Sequence, residues 1–286
     1  MHFLDSLVML HPRGMIALSE RSLMLHTIEL MLIVAVPVYI LIFFFAWKYR
    51  AGNTSSQYTP EWEHSKMDEL VWWAIPLEII LVLAALTWTS THALDPYKPI
   101  DTSIPPLTVQ VVALDWKWLF IYPAQGIASV NYLAIPVGQP VRFELTADAP
   151  MNALWIPQLG GQEMAMPGMD NRLNLEASAP GTFVGMSSNF SGDGFSGMQF
   201  PVHAVSQSDF DAWAAGIASS SAPLTMDTYM TLAKPSENVP AAFYILADPN
   251  LYTEVMMQYM MPQGSSSSTP AAMPGMQMDA MPGMSM

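Results

Sequence analysis

The sequence predicts a two-helix transmembrane hairpin followed by an all-β domain with short C-terminal helices. Two long apolar runs lie in the first third of the 286-residue chain. Only 12% of the residues are charged, whereas a soluble globular protein has about 25%. From Pro105 onward, short segments that alternate polar and apolar residues are separated by Gly and Pro, which is typical of a sandwich or barrel.

Each apolar run has the length of a membrane span. Leu30–Trp47 is uncharged, and with its extension back to Thr27 it would cross about 30 Å as a helix. Leu70–Ser90 contains a single charge, Glu78. Aromatic residues of the kind found at membrane interfaces flank both runs, namely Trp47, Tyr49, Trp72, Trp73 and Trp88.

The segment between the two runs, about residues 51–68, is short and polar. It contains or adjoins Lys48, Arg50 and Lys66. The positive-inside rule places this turn in the cytoplasm, and both outer ends of the hairpin on the opposite face of the membrane. Arg13 and Arg21, ahead of the first run, make this bias modest.

The residues after the hairpin carry strand patterns. Thr108–Val112 and Val141–Thr146 alternate with period two, and Trp116–Tyr122 and Gly181–Ser187 are further short strand candidates.

Helical patterns follow the strands. Ser208 is a candidate N-cap for a short helix that presents Phe210, Trp213 and Ile217 on one face. A second helical stretch is expected near residues 248–260.

These patterns divide the chain into five predicted regions. They are an N-terminal outer segment (1–26), the hairpin (27–92, with spans about 27–48 and 69–91), the β domain (93–205), a helical and aromatic-rich extension (206–261) and a disordered Met-rich tail (262–286). The tail repeats Met-Pro-Gly-Met. Thioethers bind Cu(I), so the tail is either a loose copper-binding arm or a chain without a ligand.

Charge and cysteine usage exclude several classes of function. The net charge is −14 and most of it lies after residue 92, so nucleic acid, which needs clustered Lys and Arg, is not an expected partner. The sequence has no cysteine. Disulfides, thiolate catalysis, zinc–thiolate sites and iron–sulfur clusters are therefore excluded.

Eight short stretches between about residues 12 and 260 form a specific combination. They are Arg21–Leu23, Phe45–Arg50, Leu86–Trp88, Thr91–Leu94, Asp115–Trp118, Phe120–Pro123, Met166–Met169 and Ser191–Met198. Together they resemble subunit II of the haem-copper respiratory oxidases, and its ubiquinol-oxidising, cytochrome bo type branch more than the cytochrome c branch. The resemblance implies that the β domain is a cupredoxin-like Greek-key barrel.

In the cytochrome c branch this domain holds a dinuclear copper centre, whose ligands are two His, two Cys, one Met and the backbone carbonyl of a Glu. By resemblance, the matching positions here are Asn152 and Phe195 for His, Ser187 and Ser191 for Cys, Asn189 for Glu and Met198 for Met. Only Met198 is retained. Soft copper needs sulfur donors, and a serine hydroxyl stays protonated at pH 7. We therefore expect no metal in this chain.

The resemblance also implies the rest of a complex. Its large subunit I would hold the haems and copper, reduce O2 to water and pump protons, with smaller subunits III and IV beside it. Electrons would come from a membrane quinol and not from cytochrome c. This chain would be a non-catalytic structural subunit without a cofactor, in contact with lipid, in the bacterial inner membrane with its β domain in the periplasm.

Two alternatives remain open. A cytochrome c oxidase subunit is opposed by the missing thiolates. A free-standing, membrane-anchored cupredoxin-like binding or copper-handling protein is opposed by Glu78, because a charge inside an apolar span suggests burial against other helices.

One catalytic candidate lies at the start of the second span. Glu69 and Trp73 match the family's Glu-x-x-x-Trp pattern, in which the glutamate lies at the mouth of a proton channel of the large subunit. The alternative is a solvated helix end. Glu78 is expected to be neutral or paired with a partner subunit. Lone histidines and the motif tryptophans are expected to be structural, namely His92, His203, Trp116 and Trp118.

Overall fold

The computed structural model describes residues 8–53, 61 and 64–260. Within these residues, two long helices come first, α1 (Met15–Lys48) and α2 (Lys66–Ala93), after a 3₁₀ turn at Val8–Leu10. Both helices are long and apolar enough to cross a membrane, and nothing in their most apolar windows is buried. The predicted disordered tail lies outside the described residues.

The two helices match the predicted spans, with one difference. Helix α2 covers residues 66–93, close to the predicted 69–91, and Ser65 caps it by accepting a hydrogen bond from the backbone N–H of Asp68. Helix α1 begins at Met15 and not near Thr27. Its first two turns, residues 15–22, contain both apolar and polar residues and belong to a contact with the β domain that periodicity alone does not reveal.

Twelve strands follow the two helices in the part of the chain that the structure describes. They are β1 (Leu107–Leu114), β2 (Lys117–Tyr122), β3 (Ile127–Val130), β4 (Leu133–Pro136), β5 (Val141–Ala147), β6 (Asn152–Trp155), β7 (Gln162–Ala165), β8 (Asn171–Leu175), β9 (Gly181–Ser187), β10 (Gln199–Val205), β11 (Ala222–Leu224) and β12 (Ala242–Leu246). One sheet has the order β11-β12-β3-β2-β1-β5-β8 and the other β4-β10-β9-β6-β7. Strand pairs β1–β5 and β4–β10 are parallel, while β1–β2 and β9–β10 are antiparallel.

The two sheets enclose one apolar core. In β5, Val141, Phe143 and Leu145 are buried in it while Arg142 and Glu144 are not, as the period-two pattern predicted. The opposite sheet contributes residues such as Leu154, Phe200 and Val202.

The C-terminal extension contains helices and also extends the larger sheet. Helices α3 (Gln207–Ser220), α4 (Met226–Leu232) and α5 (Leu251–Met257) are present. The predicted cap of α3 was wrong by two residues. Ser206, and not Ser208, accepts the hydrogen bond from the backbone N–H of Asp209. Helix α3 buries Phe210 and Ile217 and half-buries Trp213, so the predicted face is confirmed.

The extension covers the outer face of the larger sheet. A second apolar cluster joins strand residues such as Leu119 and Ile121 to Tyr229, Leu251 and Val255 of the extension. Strand β2 is therefore buried along its whole length. A strand buried on both faces does not alternate, which explains its nearly continuous apolar sequence.

Tyrosine hydroxyls fasten this extension to acidic residues of the β domain. Tyr229 and Tyr259 each donate to a different carboxylate oxygen of Asp148, both at 2.6 Å, and Tyr252 donates to Asp170 at 2.9 Å. Burial, reinforced by the Asp148 carboxylate, raises the pKa of Tyr259 to about 12. The same causes raise the pKa of Tyr229 still further. These hydroxyls therefore remain protonated donors at physiological pH.

The first turns of α1 lie on the β domain. Ala17 is buried, and an ideal Cβ on Gly160 would lie 2.5 Å from its backbone nitrogen. Four hydrogen bonds join the parts: Arg13 N–H to Gln158 O, Ala17 N–H to Leu159 O, Ser178 N–H to Arg13 O and Gly161 N–H to Glu20 Oε1. These contacts explain why α1 begins well before its apolar run.

Candidate functional site

The fold brings the six positions that the sequence resemblance matched to copper ligands to one end of the β domain. Asn152 begins β6 and Ser187 ends β9, and these strands pair antiparallel, with Leu154 opposite Ser187. The connection from β9 to β10 supplies the other four positions, Asn189, Ser191, Phe195 and Met198. Strand pairing thus places residues that are about 35 positions apart in sequence beside each other.

Five of the six positions form one hydrogen-bonded group, because the backbone N–H of Ser187 donates to the carbonyl oxygen of Met198 at 3.1 Å and joins two sets of side-chain contacts. Ser187 Oγ donates to Asn152 Oδ1 at 2.8 Å and lies 3.2 Å from the carbonyl oxygen of Asn189. Ser191 Oγ donates to the thioether sulfur of Met198 at 3.7 Å. Apart from Asn189, which is half-buried, these residues are buried.

Phe195 is the exception. Its ring packs edge-to-face on Phe190 at 5.6 Å, within a short 3₁₀ turn, Asp193–Gly197. The side chain of Phe190 is 75% exposed. Met151 is also exposed, and its carbonyl accepts a hydrogen bond from the side chain of Asn189, the residue before Phe190. An apolar tip, defined here as Met151, Phe190 and Phe195, therefore adjoins the hydrogen-bonded group.

This donor set suits hydrogen bonding and not the ligation of a soft metal. The side chains offer two hydroxyls, an amide and one thioether, and copper of this kind requires thiolate and imidazole donors. Within the part of the chain that the structure describes, no three His, Asp, Glu or Cys side chains converge on a point. The polar atoms satisfy one another, as buried polar groups do.

Comparison with known proteins decides the family. A family model described as the periplasmic domain of cytochrome c oxidase subunit II matches residues 124–205, and one described as the COX aromatic-rich motif matches residues 218–263. A Pseudomonas aeruginosa protein named cytochrome bo(3) ubiquinol oxidase subunit 2 is 47% identical over 253 residues, 88% of this chain and 76% of that protein. The chain belongs to the subunit 2 family of haem-copper quinol oxidases.

Further relatives of this quinol oxidase subunit agree. The ubiquinol oxidase subunit 2 of Acetobacter aceti is 46% identical over 87% of this chain and 82% of its own length. The crystal structure of the periplasmic domain of cytochrome oxidase subunit II from Bradyrhizobium japonicum matches 40% of this chain and 95% of that domain, with 24% identity and a TM-score of 0.37. That overlap is too partial for a comparison of sites. The predicted family, its quinol-oxidising branch and the cupredoxin-like fold class are confirmed.

In the quinol oxidase subunit, the two motif tryptophans have different surroundings. Trp118 is fully buried, and its ring packs edge-to-face on Phe200 with the ring centroids 6.2 Å apart. Trp116 is half-buried, and its indole N–H donates to the carbonyl oxygen of Ser191 at 3.1 Å. Sequence reasoning expected packing for both but did not connect Trp116 to the Ser191 loop. The adjacent Lys117, which it did not single out, is fully buried.

Glu69 lies far from this group of residues. It occupies the first turn of α2, at the end of the helix away from the β domain, and its carboxylate lies 3.2 Å from Nδ1 of His64. Glu78 is exposed along the same helix, inside its apolar window. The structure does not bring either glutamate near the positions that match copper ligands.

The lone histidines make local contacts. His92 Nδ1 lies 2.8 Å from the carbonyl oxygen of Trp88, and the two rings are 4.4 Å apart. His203 stacks on Tyr132 and lies 3.1 Å from the hydroxyl of Thr182. These contacts fit the structural roles predicted for both residues.

Proposed function

We propose that this chain is the copper-free, non-catalytic structural subunit of a proton-pumping quinol oxidase. The observation that carries the proposal is the hydrogen bond between Ser187 and Asn152, with the Ser191–Met198 contact beside it. Those four side chains are at positions that the sequence resemblance matched to copper ligands, and here they bond to one another in pairs. Electrons therefore reach oxygen through subunit I and bypass this domain.

The exposed surfaces support assembly into a larger complex. Two helices with no buried residue in their apolar windows contact lipid or other helices, and Glu78 inside one of them needs a polar partner. The apolar tip, with Phe190 at its centre, is the kind of surface that binds another protein. Subunit I is its partner in this proposal, with subunits III and IV completing the complex.

Charge supports the orientation in the bacterial inner membrane. Lys48, Arg50 and Lys66 lie at the turn between the helices, so this turn faces the cytoplasm. Both outer ends, and with them the β domain, then face the periplasm. A quinol in the bilayer delivers electrons to the haems of subunit I, and cytochrome c has no acceptor in this domain.

Metal content and donor specificity of the purified complex test the proposal. We expect oxidation of ubiquinol, no oxidation of reduced cytochrome c, and no near-infrared band from a dinuclear copper centre. A cytochrome c oxidase measured in parallel provides the positive control. Copper in excess of what subunit I holds, lost in a Met198→Leu variant, would contradict the proposal. Detergent extraction of a haem-free monomer would instead favour a free-standing copper-handling protein.

We also propose that Glu69 collects protons for the large subunit. It lies at the start of a long apolar helix, half exposed, with the imidazole of His64 3.2 Å from its carboxylate, and carboxylates at such positions relay protons. Glu69→Gln should lower the turnover of quinol oxidation several-fold while leaving haem content unchanged. The measurement is steady-state oxygen consumption by the purified complex.

Asp68→Asn is the matched control for Glu69→Gln. Asp68 is in the same helical turn and loses the same charge, so it reports the contribution of charge at the helix N-terminus alone. Equal turnover in the two variants and the wild type would leave Glu69 as a solvated helix end.

A further inference from the structure

The C-terminal extension crosses the outside of the loop that carries Ser191 and Phe195. Residues 234–239, between α4 and β12, are called the strap. The backbone N–H of Ser236 donates to the carbonyl oxygen of Asp115, and Asn131 Nδ2 donates to the carbonyl oxygen of Val239 at 2.8 Å. The strap is thus bonded at two points, to the turn before β2 and to the turn between β3 and β4.

Lys117 is the third and strongest attachment. Its side chain is 0% exposed, and its ammonium donates to the carbonyl oxygens of Asp115 and Lys234 at 2.9 and 2.8 Å and to Ser236 Oγ at 2.7 Å. All three contacts are to neutral acceptors. Burial lowers the pKa of Lys117, and the nearby Asp115 carboxylate partly offsets this. Loss of these contacts would leave a buried cation without partners, which is costly.

The strap and Trp116 leave no space above the loop. An ideal Cβ on Gly194 would lie 2.5 Å from the Trp116 ring and 2.8 Å from Glu237 Cγ. One on Gly197 would lie 2.8 Å from Oδ1 of Asn238. The 3₁₀ turn of the loop is therefore pressed between Trp116 and the strap.

Backbone conformation marks the same place. Among the residues that the structure describes, the non-glycine residues with positive φ are Trp116 (61°), Asn131 (50°) and Asn238 (51°). Asn238 lies in the strap and Asn131 bonds to it, while Trp116 contacts the loop at Ser191 and Gly194. The left-handed conformation is costly for a bulky residue such as Trp116, and such conformations persist only where the surrounding contacts hold them.

We propose that the strap fixes the conformation of residues 191–198, and that the hydrogen bonds of Lys117 hold the strap in place. These hydrogen bonds are called the latch. The C-terminal extension thereby cross-links this loop to the turn before β2. Lys117 is a positioning residue and makes no contact with substrate. The inference rests on the proposed absence of copper from this domain.

Hydrogen exchange of the intact purified oxidase tests the latch. Lys117→Met keeps the length of the side chain and removes its three hydrogen bonds. We expect amide exchange in residues 191–198 to accelerate about tenfold or more, while exchange in residues 109–111 of β1 stays unchanged. Lys234→Met is the matched control, because Lys234 is exposed and contributes only its carbonyl oxygen. Unchanged exchange in residues 191–198 would overturn the latch.

A milder variant keeps the test decisive. If Lys117→Met does not assemble, Ser236→Ala removes one acceptor and should still accelerate exchange in the loop above that of Lys234→Met. An equal rise in the amide exchange rates of the loop and of β1 would contradict the latch. Unchanged exchange rates in both segments would contradict it as well. Copper is measured on the same wild-type preparation. Excess copper there would refute the proposed function, whereas an unchanged loop refutes only the latch.

Discussion

Replacing Asn152 and Phe195 by His, and Ser187 and Ser191 by Cys, should make the domain bind copper and absorb strongly in the visible and near-infrared. The positions already converge. Ser187 lies 2.8 Å from the Asn152 amide and 3.2 Å from the Asn189 carbonyl, and Ser191 contacts Met198. Two thiolates and two imidazoles, added beside the Met198 thioether and the Asn189 carbonyl, complete the soft donor set that copper prefers.

Phe195 is the least prepared of the four positions, because its ring packs on Phe190 outside the hydrogen-bonded group. The measurement is copper per complex together with the absorption spectrum after reconstitution. A variant with both histidines but with Ser187 and Ser191 retained is the control, and it should stay colourless for want of thiolates. If the variant with all four substitutions folds correctly but binds no copper, the backbone around these positions does not have the arrangement that a dinuclear copper centre needs.

Gly160→Ala should detach the first turns of α1 from the β domain. The added Cβ would lie 2.5 Å from the backbone nitrogen of Ala17, and Gly160 has a φ of 99°. Backbone cannot move aside as a flexible side chain can, so we expect a loss of about 2–3 kcal/mol beyond the cost of the strained backbone. The thermal midpoint for release of this subunit from the complex should fall accordingly.

Gly126→Ala separates the two causes of that loss. Gly126 also has a positive φ, 65°, but a Cβ there would meet nothing within 4 Å. It should show only the backbone cost, about 1 kcal/mol. Equal thermal midpoints for the two variants would mean that the contact between Gly160 and Ala17 contributes nothing to the attachment of α1.

The alternation of polar and apolar residues predicted the strands that have one face in the core and the other in solvent. The alternation in Val141–Thr146 predicted β5 because only one face of that strand is in the core. Strand β2 is buried on both faces, since the extension covers it, and its alternation is lost. The same limit applies to α1, whose first turns precede the apolar run and are held on the β domain by hydrogen bonds from Arg13 to Gln158 and from Ala17 to Leu159.

Residue chemistry predicted the composition of the candidate site but not its contacts. The serines that match cysteine positions were identified from the motif alone. That Ser187 bonds to Asn152 depends on the pairing of β6 with β9. The burial of Lys117 depends on a segment more than 100 positions away in sequence, and no local signal predicts such a contact.

The sequence by itself determined the two long apolar helices, the β character of the following domain and the family, because hydrophobic period and motif spacing are local properties of the chain. Only the tertiary structure decided that α1 rests on the β domain, that serine and asparagine side chains satisfy each other at the copper-ligand positions, and that the strap lies over their loop. Those contacts join distant segments, and their free energy arises only when the whole domain has packed.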